Sequence, residues 1–517
     1  EKILLRTVKK VLELSQDISM EDDFFSLGGS SITALELVVE LEKSNISLSV
    51  TDIYRERTCA HLAAFIKERL KSDRERVAAE EHEALCRKRT YKVSLEQADF
   101  LSYRETEQES GIANCYTLCI SFGKDIDIGK LADAVDTVIR QHPILSSIFT
   151  KTDAEDYCIS YHPERAGKTE ISEISEKDFA SFCEGYHRSF RLFEEPLVHR
   201  QLVVTEKGVY FFIELHHAIS DEYSFEVMLS QIFRAYKGEP LPTDFFYTYL
   251  QELQDQAETE RFEQAKEYYE GLCERTVRGK NLTAPPLPAR EDPFGKLAVL
   301  EYKANVSPEK FVKAESSLEE PRNVLAMAAA ILTMAEITKK QDICLFLVYD
   351  NRKNARDTES VGCYIQELPI LVDLGKMQTY GDLLHEVSDQ ISHGIMYSDC
   401  ITDAFFYEKF LSIGNCFLPP EIIYHRHFHS YGHNTWQRES ISVREIEMQR
   451  SALIPMEVHI REKDDYMHLH IEYGENIYGT EDVSRIARLF EKYLTVILST
   501  SAKNLLNGEG AAELTKR

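Results

Sequence analysis

The first part of the chain shows apolar residues at helical spacing in short stretches. An amphipathic pattern runs from the first residues through Leu14, a polar loop follows, and a second helix is predicted from about Ser31. A last helix places four apolar side chains on one face, namely Leu62, Phe65, Ile66 and Leu70. We therefore predict a small all-α unit of three or four helices, a four-helix bundle over residues 1–70, with one core of its own.

The pattern changes twice beyond this helical unit. Residues 71–90 are charged and poor in core residues, which is typical of a linker. From Tyr91 onward, predicted strands alternate with helices, for example a strand at 116–122, a helix at 129–141 and a strand at 208–217. A strongly periodic helix over 481–498 closes this region. The pattern predicts a large mixed α/β unit that ends near residue 505.

Composition and charge exclude several classes of protein. The chain of 517 residues is 43% hydrophobic and carries a formal net charge of −27, which argues against a nucleic-acid partner. No apolar run approaches the roughly 20 residues of a membrane span, and no signal-peptide pattern precedes the first helix. Eleven cysteines occur without a C-x-x-C pair, which favours reduced thiols over disulfides or a zinc site. We expect a soluble cytoplasmic protein with no membrane contact.

Two glycines precede two serines at the predicted start of the second helix. Gly28 and Gly29 allow a free turn, and a serine at a helix N-terminus lies beside unpaired N–H groups and the positive end of the helix dipole. A phosphodiester attached there is electrostatically favoured. Residues 22–32 (DDFFSLGGSSI) resemble the phosphopantetheine attachment site of peptidyl carrier proteins, and the spacing of that family selects Ser31. The alternative is a plain turn with a serine N-cap; we expect Ser30 to be the cap.

A strand ending in two histidines carries the second candidate site. Alternation over residues 209–217 places His217 on the face of the apolar residues and His216 on the opposite face. A histidine at the end of a buried apolar face can stay neutral and accept a proton or a hydrogen bond from a reacting amine. Because the two side chains point apart, they are poorly placed to bind one metal ion together.

The stretch from His216 to Glu222 (HHAISDE) resembles the His-His-x-x-x-Asp-Gly signature of condensation domains in non-ribosomal peptide synthetases. Other stretches fit the same family in chain order: 91–97 (YKVSLEQ), 140–145 (RQHPIL), 360–366 (SVGCYIQ) and 473–478 (YGENIY). The resemblance implies two chloramphenicol-acetyltransferase-like lobes that form a V around a tunnel. It places the N-lobe at 91–255, the C-lobe at 256–505 and a tail at 506–517.

The resemblance also implies roles for individual residues. His217 would accept a proton from the attacking amine or position it, His216 would complete the motif, and Asp221 would hold the loop through an ion pair, with a simple Asx turn as its alternative. Three positions depart from the family. Glu222 stands where the family has glycine, Gln366 where it has asparagine, and Ser146 where it has an arginine, so that Asp221 needs another base.

The implied function is amide-bond formation between carrier-bound substrates. Ser31 would carry the donor acyl or peptidyl thioester on 4'-phosphopantetheine, and the amine would come from a downstream acceptor carrier. The implied partners are a phosphopantetheinyl transferase with coenzyme A, an upstream adenylation domain, and aminoacyl or peptidyl thioester substrates. Two alternatives stay open. One is an epimerisation domain, although residues 348–352 (VYDNR) lack the pattern of that subclass; the other is a degenerate domain that only docks carriers.

A run of histidines at 425–433 is the remaining candidate. Alternate histidines on one strand face are compatible with a metal site. No cysteine or carboxylate shares the spacing, and the related family has a core strand here, so solvent-facing histidines and no bound metal are expected.

Overall fold

The structure is a computed structural model. It describes residues 2–12, 14, 18–44, 46, 48–72, 90–105, 115–152, 156–186, 190–256, 259–276, 295–398, 400, 420–425, 455–463, 465–501, 504 and 506. Within these residues, no helix combines the length and the apolar character needed to cross a bilayer. The described cysteines are free thiols.

Four helices form the first unit, as predicted. They are α1 (Lys2–Val11), α2 (Ser31–Glu42), α3 (Val50–Glu56) and α4 (Cys59–Ser72). The first helix ends at Val11 and not at Leu14. The helices pack around fully buried apolar residues that include Val8, Leu37 and Leu62. Ser49 caps α3 by accepting a hydrogen bond from the Asp52 amide, which fixes where that helix begins.

The next part of the chain holds two sheets. A small sheet has the order β1-β4-β3, and a four-stranded sheet has the order β2-β7-β6-β5, antiparallel except for the β5–β6 pair. The strands are β1 (Tyr91–Lys92), β2 (Cys115–Phe122), β3 (Ser147–Lys151), β4 (Tyr157–Tyr161), β5 (Glu170–Glu173), β6 (Val198–Val204) and β7 (Val209–His216). The helices are α5 (Leu95–Glu105), α6 (Ile128–Gln141), α7 (Phe179–Glu184), α8 (Glu222–Lys237), α9 (Phe246–Gln256) and α10 (Glu260–Thr276).

The last part is built on one six-stranded sheet with the order β10-β9-β11-β12-β13-β8. Its strands are β8 (Leu297–Ala304), β9 (Asp342–Asp350), β10 (Ile365–Asp373), β11 (Glu421–His425), β12 (Met456–Glu462) and β13 (Met467–Gly474). Its helices are α11 (Pro308–Leu318), α12 (Arg322–Thr338), α13 (Tyr380–Tyr397) and α14 (Thr480–Ser499). The short strand β11 runs parallel to both β9 and β12, which brings their carboxyl ends together.

The helical unit packs against this last part of the chain. Their buried apolar residues form one continuous cluster, and α3 contacts α13. The Val50 amide donates a hydrogen bond of 2.9 Å to the Lys353 carbonyl. The loop before α2 also approaches α11, because a β-carbon on Gly28 would lie 3.8 Å from the Glu315 carboxyl carbon. The head of α2 is therefore held close to the α/β unit.

Candidate functional site

Strand β7 ends one residue earlier than the pattern predicts. Its alternation is confirmed, because Phe211 and Leu215 pack in the main core whereas Phe212 packs in a separate cluster on the other face. The strand stops at His216, and His217 begins a single 3₁₀ turn, His217–Ile219. His217 is thus placed by this turn and not by the strand pleat.

The His217 ring is fixed in orientation and tautomer. Nδ1 lies 2.9 Å from the Ser220 carbonyl oxygen, and because a carbonyl only accepts, Nδ1 carries the proton. Phe100 stacks on the ring with centroids 4.1 Å apart, and Tyr116 meets it edge-on at 4.9 Å. Burial lowers the pKa of His217, and the carboxylates of Asp221 and Glu457 offset part of that fall. The His217 ring is therefore neutral, with a lone pair on Nε2.

His216 faces elsewhere and has a local structural contact. It is fully buried, and its Nδ1 accepts a hydrogen bond of 3.1 Å from the Ala218 amide. The Ser220 hydroxyl donates to the His216 carbonyl at 3.2 Å. Both bonds hold the turn that presents His217, and His216 does not line the cavity described below.

Asp221 has two functions in the fold. It caps α8 by accepting from the Ser224 amide at 2.8 Å, and it pairs with Arg352 through two bonds of 2.8 and 3.0 Å. Although burial opposes ionisation, the Arg352 guanidinium holds the pKa of Asp221 below its usual value. Arg352 therefore supplies the positive charge opposite Asp221. The family usually has an arginine for this purpose at the position that Ser146 occupies here. Arg352 is not among the site residues predicted from the sequence.

We expect Arg352→Met to destabilise the α/β unit by about 3–5 kcal/mol, because removing one partner leaves the buried Asp221 carboxylate without its counter-charge. The measurement is the midpoint of urea unfolding followed by near-UV circular dichroism. The control is Arg191→Met, which removes an exposed arginine that pairs with Glu194 and is expected to leave the midpoint unchanged. Equal midpoints for the two variants would contradict a structural role for the buried pair.

A cavity of about 710 Å³, lined by described residues, connects the helical unit with the histidine site. Its lining includes Ser30 and Glu36 from the helical unit, His217 from the turn after β7, Glu222 from the start of α8, and Glu457 from the large sheet. A group attached at the head of α2 thus has space that leads toward the His217 imidazole.

The head of α2 fits a phosphopantetheine arm. Ser30 is the N-cap, in a capping box with Thr33, and Ser31 is the first residue of the helix; its side chain lies outside the described part of the structure. Gly28 adopts φ +94°, and a β-carbon on Gly29 would lie 2.4 Å from the Phe24 ring, so both positions require glycine. The expected cap at Ser30 is confirmed.

Glu222 meets two histidines at the cavity wall. His425 Nε2 lies 3.9 Å from the Glu222 carboxylate and 3.1 Å from Nδ1 of His459. Burial lowers the pKa of His425 to about 4. With only 17% of its side chain exposed, His425 is not the solvent-facing residue that the sequence pattern favours. His427, His429 and His433 lie outside the described residues.

These features define a class of protein: a helical carrier unit followed by an α/β domain whose buried histidine opens to a shared cavity. Residues 87–507 match the family model described as Condensation domain, and residues 2–66 match the one described as Phosphopantetheine attachment site. The chain belongs to the condensation-domain family and begins with a phosphopantetheine-bearing carrier. The resemblance inferred from the sequence is confirmed at this level.

Relatives and solved structures agree with this assignment. Bacitracin synthase 1 of Bacillus licheniformis is 22% identical over 405 residues, which cover 73% of this chain and only 7% of that protein. The first condensation domain of the calcium-dependent antibiotic synthetase superposes with a TM-score of 0.62 at 13% identity, covering 81% of this chain and all of that one. The epimerization domain from the third module of tyrocidine synthetase B gives 0.63 at 15% identity, covering 79% and 97%. These structures share the fold.

Proposed function

We propose that this chain is the carrier and condensation portion of a non-ribosomal peptide synthetase, and that it forms an amide bond between a donor on its own carrier and an amine on a second carrier. One observation carries the proposal: the neutral His217 ring and the head of α2 line the same cavity. The carrier's attachment point therefore opens toward a group that can accept an N–H.

Ser31 is the proposed attachment residue. Gly28 and Gly29 shape the turn before it, and Ser30 caps the helix, which leaves the next hydroxyl in the chain for the phosphodiester. When bound, phosphopantetheine supplies the thiol that holds the donor as a thioester. Loading of Ser31 would require a phosphopantetheinyl transferase and coenzyme A.

His217 is the proposed catalytic residue. In amide formation a C–N bond forms and the thioester C–S bond breaks. The pantetheine sulfur leaves as the thiol, which takes up in net terms the proton that the attacking amine loses. Since the Ser220 carbonyl holds the proton on Nδ1, Nε2 is the acceptor that the ring offers to the amine, either as a base or to position the N–H. Asp221 and Arg352 act on the loop that carries His217, and His216 supports the turn; these are positioning residues.

The proposed organisation of the chain keeps the bounds predicted from the sequence. The carrier would occupy residues 1–70, a linker 71–90, the two condensation lobes 91–255 and 256–505, and a tail 506–517. Selection of the donor residue would fall to an upstream adenylation domain, and the amine would arrive on a downstream acceptor carrier. The proposed location is the cytoplasm, where reduced cysteines persist.

Epimerisation of the carrier-bound residue is the second candidate. It requires a glutamate in the second lobe beside the histidine, and Glu457 of β12 lines the same cavity and acts electrostatically on His217. The Glu457 carboxylate also contacts Nε2 of His459, and this contact competes with a role of Glu457 as a base toward the substrate. Condensation is favoured because it needs only the lone pair of His217 and an amine.

The test loads the carrier with an aminoacyl pantetheine and incubates it in heavy water, with and without a loaded acceptor carrier. We expect amide product only when the acceptor is present, read by intact-protein mass spectrometry after release of the product. Deuterium at the α-carbon without an acceptor would instead establish epimerisation. If neither product forms while the carrier remains loaded, the condensation proposal is wrong and a docking function takes its place.

A further inference from the structure

We propose that Glu222, His425 and His459 form a binding site for one divalent transition-metal ion of the zinc type at the wall of the cavity. The three residues come from three elements: Glu222 opens α8, His425 ends β11 and His459 lies in β12. Their potential ligand atoms all lie within 4.8 Å of one another. This site is separate from the function proposed for His217 and does not depend on it.

The spacing of the ligand atoms fits a small metal ion. Bond lengths of about 2.0–2.1 Å in a tetrahedral zinc site separate neighbouring ligand atoms by roughly 3.3 Å. His425 Nε2 and His459 Nδ1 are 3.1 Å apart, close to that separation. The Glu222 carboxylate lies 3.9 Å from His425 Nε2, and a small movement of its side chain closes the site. With 32% of its side chain exposed, Glu222 has room for that movement.

The second histidine is oriented as a metal ligand by a carboxylate. Nε2 of His459 contacts the Glu457 carboxylate, and because a carboxylate accepts, this nitrogen carries the proton in the neutral ring. The lone pair on Nδ1 then points toward His425. Histidine ligands of metals commonly donate their other N–H to a carboxylate in this manner, which fixes the tautomer and raises the basicity of the ligand.

The donor set defines the class of ion. Two imidazoles and one carboxylate are the protein ligands of many catalytic zinc sites, which keep a further position for water or substrate. The same set also serves ferrous iron, but Zn²⁺ binds more tightly in the general order of divalent ions. All three side chains line the cavity that holds His217, so the open position of the ion would face that space. Glu222, which stands in place of the family's glycine, supplies the carboxylate.

The experiment uses the full chain without a polyhistidine tag, freed of metal with a chelator and titrated with Zn²⁺ and separately with Co²⁺. We expect one equivalent of Zn²⁺ to bind by calorimetry, and Co²⁺ to give the visible absorption of a four- or five-coordinate site. Glu222→Gly and His459→Gln should each weaken binding by at least about 100-fold, and Glu457→Gln by about 10- to 100-fold, since it removes the outer carboxylate.

Two controls keep the result interpretable. His385→Gln removes an exposed histidine of α13 and should leave the binding of both ions unchanged. Glu222→Gln keeps the size of the side chain and removes only the negative charge of the carboxylate. Circular dichroism confirms that each variant is folded before titration. Failure of the parent chain to bind one equivalent, or unchanged affinity in folded Glu222→Gly and His459→Gln, would overturn the proposal and leave a hydrogen-bonded histidine pair.

Discussion

Replacing Ser31 by alanine is expected to abolish covalent loading of the chain by coenzyme A and a phosphopantetheinyl transferase. The loss should be complete, because alanine lacks the hydroxyl on which the phosphodiester forms and the Ser30 hydroxyl is engaged in capping α2. The first turn of α2 offers N–H groups without intrahelical partners, and these favour an anionic phosphate at this residue. The measurement is intact-protein mass spectrometry, in which the parent chain gains the mass of one phosphopantetheine arm.

Ser30→Ala is the matched control for this loss. The Ser30 hydroxyl accepts from the Thr33 amide, so its removal should cost about 0.5–2 kcal/mol of helix stability and leave loading intact. The two serines are neighbours of the same chemical type, which makes the comparison strict. Loading that survives in Ser31→Ala and disappears in Ser30→Ala would move the attachment site by one residue.

His217→Ala is expected to lower the rate of amide formation by about 10²- to 10⁴-fold, the usual contribution of a positioned proton acceptor. Loading of Ser31 should be unaffected, because His217 lies outside residues 2–72, which form the four carrier helices. The measurement is single-turnover product formation from a preloaded donor. His385→Gln serves as the control, since this exposed histidine lies on α13 and does not line the cavity that holds His217. Equal rates in the two variants would show that His217 has no role in amide formation.

The same reaction has an expected pH dependence. Only the neutral ring can accept a proton or an N–H, and burial lowers the pKa of His217 from its usual 6.5. The contribution of His217, measured as the ratio of the parent rate to the His217→Ala rate, should therefore stay constant as the pH falls to 6.5 and decline only at more acidic values. Protonation of the attacking amine lowers both rates alike and cancels in this ratio. A decline of the ratio centred at or above pH 6.5 would contradict a buried neutral imidazole in the reacting state.

Local features of the site could be predicted from the sequence because they depend on neighbours in the chain. The two-residue period of β7 separates Phe211 from Phe212, and the spacing of Ser30 to Thr33 sets the cap of α2. The predicted end of β7 was one residue too late. The strand gives way to a turn that is held by the hydrogen bond from the Ser220 hydroxyl to the His216 carbonyl, and strand periodicity does not reveal such a turn.

Contacts between distant residues could not be predicted in this way. Arg352 lies 131 positions from Asp221, and only the packing of the two lobes brings them together. A signal existed, because Ser146 left Asp221 without its usual base and Arg352 follows a strongly apolar strand. The meeting of His425 with His459 depends on the parallel register of β11 and β12, in which Ile423 lies opposite His459. Nothing in either segment alone specifies that register.

The bond from the Val50 amide to the Lys353 carbonyl gives the docked carrier a direct link to the reacting loop. Lys353 follows Arg352, which holds Asp221, and Asp221 lies four positions after His217. A carrier that docks on different domains in turn must break this hydrogen bond each time it leaves the condensation domain and form it again each time it returns. The docking of the carrier and the segment that holds Asp221 are thereby connected through one peptide group, so undocking the carrier would remove one hydrogen bond from that segment.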